Sequence, residues 1–118
     1  MLRNILIMMA LAAPGGALAA ELWCMPDTLC RSDVCKPTDD EEASVRLNDL
    51  DSATPVLRMD AKDIPLQRTA EGDTVQWQGE DPDGGTDVLA WRRSDNAYVL
   101  LRRVDGMTFK ATGRCEIQ

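Results

Sequence analysis

Four cysteines, Cys24, Cys30, Cys35 and Cys115, do more than any other feature to restrict what this chain can fold into. Their spacing, Cys-x5-Cys-x4-Cys with the fourth near the end, lacks the close Cys-x2-Cys pairs of a structural zinc site. The chain also has no histidine that would complete such a site. An even number of thiols without metal spacing reads as two disulfides, provided that the chain reaches an oxidising compartment.

The N-terminus points to such a compartment. Arg3 is followed by nine apolar residues, Ile5 to Ala13, then by Pro14-Gly15-Gly16 and a run of small residues. This is the order of charged region, apolar region and cleavage zone in a secretory signal. Small side chains at Ala17 and Ala19 suit the cleavage step, so residues 1–19 are expected to be a signal peptide. Residues 20–118 are then expected to form a single disulfide-stapled domain, periplasmic or secreted. The apolar run falls short of the roughly 20 residues a membrane span requires. Glu21 and Trp23 stand where a lipid anchor on Cys24 would call for small or aliphatic neighbours.

Four cysteines admit three pairings, and sequence alone does not choose among them. The pairing preferred here joins Cys24 to Cys115, tying the two ends, and Cys30 to Cys35, closing a local loop. By loop-closure entropy the long link would contribute roughly 4 to 5 kcal/mol. That is a large share of the stability of a domain this small.

Between the cysteines the chain alternates short apolar segments with turn residues. Ala43, Val45 and Leu47 alternate with Ser44, Arg46 and Asn48, the period of a half-buried strand. Further strands are expected at Val56–Met59, Ile64–Arg68, Thr74–Gln78, Asp87–Arg92, Ala97–Arg103 and Met107–Glu116. The turns between them hold Glu71-Gly72-Asp73, Asp81-Pro82-Asp83-Gly84-Gly85, Ser94-Asp95-Asn96 and Asp105-Gly106. The expected fold is therefore all-β, a small antiparallel meander closing into a barrel or sandwich. In the last strand Cys115 shares a face with Met107, Phe109, Ala111 and Gly113, so its partner should join the first and last elements. Val88 and Ala90 oppose Leu89 and Trp91, which makes that strand central or covered. Pro65 has no N–H for a ladder and marks an edge or a bulge.

The same composition narrows the chemistry. Without histidine, Ser-His-Asp and Cys-His constellations and histidine metal sites are ruled out. The chain carries 20 acidic against 13 basic residues, a net charge of −7, and −8 once Arg3 is removed with the leader. Such a chain repels nucleic acid and anionic lipid surfaces; its charge reads first as a means of solubility and second as suited to a basic protein partner. The acid is concentrated toward the N-terminal side, with Asp39-Asp40-Glu41-Glu42 read as a flexible acidic segment. Arg92-Arg93 and Arg102-Arg103 should form two separate patches at opposite ends of a hairpin. Asp81, Asp83 and Asp87 alternate around a glycine turn, an incomplete version of a calcium loop that reads first as a charged hairpin. Twenty carboxylates supply many pairs for glycosidase-type catalysis, and nothing singles one out. Trp23, Trp77 and Trp91 are read as core or barrel-mouth packing. No cofactor is called for.

In layout, Trp23-Cys24 through Cys35, the run of short strands and the closing Gly113-Arg114-Cys115-Glu116 resemble small exported Cys-containing β proteins of Gram-negative bacteria, mostly without assigned function. A narrower resemblance is to periplasmic inhibitors of C-type lysozyme. These are small β-barrels with a disulfide near the ends and an inhibitory loop written Ser-Gly-x-x-Tyr. Ser94 and Tyr98 stand at that spacing, with Asp95 in place of the glycine. The resemblance implies that Ser94 would enter the enzyme's cleft. Together these features lead us to expect a non-enzymatic binding domain for a protein or small molecule, with a lysozyme-inhibitor-like protein as one specific version. The alternatives are a carboxylate-based envelope or glycan hydrolase and an envelope assembly factor.

Overall fold

The computed structural model describes residues 20–59 and 61–118, so the expected signal peptide over 1–19 lies outside the described residues. In chain order the strands are β1 (Glu21–Arg31), β2 (Val34–Pro37), β3 (Val45–Asn48), β4 (Val56–Met59) and β5 (Lys62–Pro65). They continue with β6 (Gln67–Ala70), β7 (Thr74–Glu80), β8 (Thr86–Arg92), β9 (Ala97–Val104) and β10 (Met107–Ile117). Every pairing is antiparallel, and the sheet runs β5-β4-β3-β1-β10-β9-β8-β7-β6, with β2 attached to β1.

Because β5 and β6 are separated only by Leu66, the two ends of that path are joined by the chain itself. The sheet is an antiparallel meander nearly closed into a barrel. At the seam the Leu66 N–H donates to the Pro55 carbonyl at 2.8 Å. The segment expected as one strand over Ile64–Arg68 is thus two, with its first half on β4 and its second on β7. Pro65 stands at the bend, where its missing N–H costs the ladder nothing. β7 approaches this bend so closely that a Cβ on Gly79 would lie 2.5 Å from the Pro65 carbonyl oxygen and 2.7 Å from the Leu66 side chain.

The opposite closure is the pairing of the first and last strands. Cys24 stands directly across from Cys115, and Cys30 directly across from Cys35. Both pairs are disulfides, and no described cysteine is free. The preferred connectivity is therefore the one observed. In the β9–β10 hairpin, Asp105 and Gly106 have φ of 53° and 78°, the double positive φ of a type I′ turn that matches the twist of the strands.

Leu22, Cys24, Leu47, Leu57, Ile64, Leu66, Val75, Trp77 and Leu89 are fully buried and fill the barrel. β8 is central, between β7 and β9, as the apolar residues on both its faces imply. Trp23 departs from the expected core or mouth packing. It alternates with the buried Leu22 and Cys24, and its ring lies under the Arg46 guanidinium, 4.6 Å from it. The run Asp39–Glu42 departs from the expected flexible segment. The Asp40 carboxylate accepts from the Glu42 N–H and caps a single 3-10 turn over Glu41–Ala43.

The two bridges should differ in weight. Replacing Cys24 and Cys115 together by Ala is expected to cost about 4 kcal/mol in urea unfolding, and replacing Cys30 and Cys35 about 2 kcal/mol, following the lengths of the loops they close. Equal losses would contradict this assignment. Gly79→Val should destabilise the oxidised protein by about 1 to 3 kcal/mol through overpacking at the seam. An unchanged unfolding midpoint would mean that the seam is open.

Candidate functional site

A β-bulge sets the geometry of one barrel mouth. The β1–β10 register slips between Pro26 and Thr28. Before the slip Leu22 and Cys24 face inward. After it, Leu29 and Arg31 stand opposite Ala111 and Phe109, the inward face of β10. A one-residue slip moves an entire face of a strand to the other side. Gly113 makes the bulge possible, because a Cβ there would collide with the Met25 carbonyl oxygen and the backbone of Pro26. The β1–β2 hairpin, clamped by Cys30–Cys35, brings Val34 and Lys36 onto the same face, across from Arg31 and Leu29.

The result is a cavity of about 930 Å³ at this mouth. Its apolar wall includes Val45, Met59, Leu100, Phe109 and Ala111, and the hairpin contributes Leu29 and Val34. Charged groups ring it: Arg31, Lys36, Arg102 and Lys110 against Asp40 and Glu42. The Arg31 guanidinium lies 5.8 Å from the centre of the Phe109 ring. Val34 is 64 % exposed, so the arm presents apolar surface to solvent.

Behind Arg102 lies a charged cluster. Arg102 and Asp87 are directly paired across β9 and β8, and the Arg102 Nε donates to the Asp87 Oδ1 at 3.0 Å. Its Nη2 donates to the Asp81 Oδ2 at 2.6 Å. Lys62 lies 3.5 Å from the Asp81 Oδ1 and also pairs with Asp83. The turn is shaped around Asp81, whose Oδ1 accepts from the Asp83 N–H at 2.8 Å. Of the three residues read as an incomplete calcium loop, Asp81 and Asp87 therefore converge, but on a guanidinium. Asp83 turns to Lys62. Among the described residues no group of three or more His, Cys, Asp or Glu side chains gathers to hold a metal ion.

The two buried carboxylates are pushed in opposite directions. The hydrogen bond from the Asp83 N–H, with Lys62 and Arg102 nearby, holds Asp81 below the usual carboxylate range. Burial pushes Asp87 up, and its Oδ2 has no hydrogen-bond partner.

Ser94 and Tyr98 are separated in environment. Ser94 is exposed in the β8–β9 turn, where its hydroxyl donates to the Asp73 Oδ2 at 3.0 Å. That turn is fixed by Arg92, which binds Asp95 through two hydrogen bonds of 3.0 and 2.8 Å and holds its carboxyl at about 2. Tyr98 is 2 % exposed and belongs to the core, and burial raises its hydroxyl well above the usual tyrosine range. The second mouth, over Trp77 and Trp91, holds a smaller cavity of about 580 Å³. Sequence reasoning did not find the arm-side cavity. Its one signal was Pro26 at the end of the apolar run Leu22–Met25, which marks a bulge only once the neighbouring strand is known.

Comparison with protein families, with characterised proteins and with solved structures finds no match for this chain.

The cluster makes a pH-dependent prediction. Asp81 has its folded pKa below the ordinary 3.8, so its ionisation adds stability that is present above that value and is lost as pH falls through the folded one. Asp87 has its folded pKa above 3.8, so its contribution is full below that value and is lost as pH rises through the folded one. Relative to the parent, Asp87→Asn should gain stability as pH rises from 3 to 7, and Asp81→Asn should lose it. Urea unfolding across that range checks the opposite slopes; parallel curves would contradict the geometry. At neutral pH, Arg102→Met should cost about 3 kcal/mol, because it leaves both carboxylates without a guanidinium.

Proposed function

We propose that this chain is a non-enzymatic binding domain of the periplasm or the secreted fraction, which takes up its ligand at the arm-side barrel mouth. The observation that carries the reading is the walled, largely apolar cavity of about 930 Å³, within the roughly 300 to 1,000 Å³ range of small-ligand sites. The cystine-clamped hairpin is short and exposed, and its side chains on the barrel face serve no part of the core. Export is supported by the leader-like first 19 residues and by two bridges, which persist in oxidising compartments. Among the described residues no helix is long and apolar enough to cross a membrane.

A carboxylate hydrolase is the second reading, and one observation favours it. Asp81 and Asp87 are buried neighbours whose pKa values are driven apart, a pattern shared by acid and base pairs in catalysis. Against it, Arg102 and Lys62 occupy these carboxylates, and neither carboxylate lines the cavity. The lysozyme-inhibitor version of the binding reading rests on the exposed Ser94 alone, since Tyr98 is in the core.

Titration of the oxidised protein with a fluorescent apolar reporter tests the proposal. One saturable site is expected, abolished by Phe109→Glu without a change in far-UV circular dichroism. Reporter uptake unaffected by that substitution would overturn the mouth as the site. Incubation with peptidoglycan is expected to release no reducing sugar. In the same assay, stoichiometric addition to C-type lysozyme should slow cell-wall hydrolysis if the inhibitor version holds, and an unchanged rate would remove it.

A further inference from the structure

We infer that the ligand of the arm-side mouth is a free, single-chain anionic amphiphile, a carboxylate head on an unbranched acyl tail. The inference rests on the binding reading above and adds the chemistry of the ligand. The chain as a whole is acidic, yet the residues lining this cavity include four basic and two acidic side chains. Arg102 is occupied by Asp81 and Asp87. The other three, Arg31, Lys36 and Lys110, form no ion pair among the described residues. Unneutralised cations beside an apolar wall, in a chain with 20 carboxylates to choose from, complement a ligand that brings its own negative charge.

The arrangement also orients the ligand. Leu100, Met59, Val45 and Ala111 line the deeper wall and suit a methylene chain. Arg31, directly opposite Val34, and Lys36, directly opposite Leu29, share one face of the β1–β2 arm. Asp40 and Glu42 also line the cavity, on the segment that follows the arm, and Asp40 is engaged in its helical cap. The head is therefore drawn to the unpaired cations Arg31, Lys36 and Lys110, and the tail to the apolar wall. The same charges argue against a basic protein entering this mouth, which leaves the acidic outer surface for any such partner.

Isothermal titration of the full oxidised protein with decanoate, 1-decanol and decyltrimethylammonium, all below their aggregation concentrations, tests the inference. Decanoate should bind about tenfold more tightly than decanol, and decyltrimethylammonium more weakly than either. Affinity for saturated carboxylates should rise about fourfold per added methylene. The exposed triple variant Arg31→Gln, Lys36→Gln, Lys110→Gln should lower decanoate affinity about tenfold and leave decanol binding unchanged. Equal affinity for decanoate and decanol would overturn the anionic ligand while leaving the binding site standing. Failure of all three to bind would overturn the site itself. Co-sedimentation with vesicles of phosphatidylglycerol would overturn the free monomer in favour of a lipid surface.

Discussion

The pairing of β1 with β10, fixed by the Cys24–Cys115 bridge, is the constraint on which the rest of the molecule depends. Closing a sheet removes its free edges, and in a meander that closure must be made by the first and last strands. Here the bridged cysteines of these strands are 91 residues apart in sequence, so the bridge removes a large loop entropy from the unfolded chain. The other closure, at Leu66, needs no bridge because the chain passes through it.

The same pair of strands also builds the mouth. Gly113 admits the bulge at Pro26, the bulge turns Leu29 and Arg31 to the inner side, and the short second bridge holds the hairpin they belong to. A feature that costs ladder hydrogen bonds in the closing pair thus produces the wall of a cavity. The charged cluster beneath is a by-product of the neighbouring hairpin, where a half-buried Arg102 satisfies two buried carboxylates, one in a turn and one on β8. Arg102 therefore lines the cavity with its own positive charge already spent on Asp81 and Asp87.

Much of this was legible in the residues. Alternation placed β4 and β7–β10 within a residue or two, since each has one face packed on the core and its ends marked by Gly, Asp or Asn. That Cys115 shares a face with Phe109 and Ala111 called for a partner from the N-terminal segment, and the preference for Cys24 among its three cysteines is the pairing observed. β1 was hidden for a physical reason: the bulge shifts its inward set from Leu22 and Cys24 to Leu29 and Arg31, so no single period runs through it. The break at Leu66 was hidden as well, because a strand that changes partners keeps its alternation. Trp23 misled, since a stacked arginine on the outside serves a large ring that composition alone assigns to the core. The cavity was not visible because its walls come from β1, β2, β3, β4, β9 and β10, brought together by register alone.

Hydrogen exchange of the native protein tests most directly whether the ring is closed by its two ends. If the account is right, the amides of β1 and β10 that pair Leu22 with Ile117 through Pro26 with Gly113 exchange only by global unfolding, as slowly as those between β8 and β9. Exchange of these terminal amides at the rate of fraying ends, while β7–β9 remain protected, would contradict it.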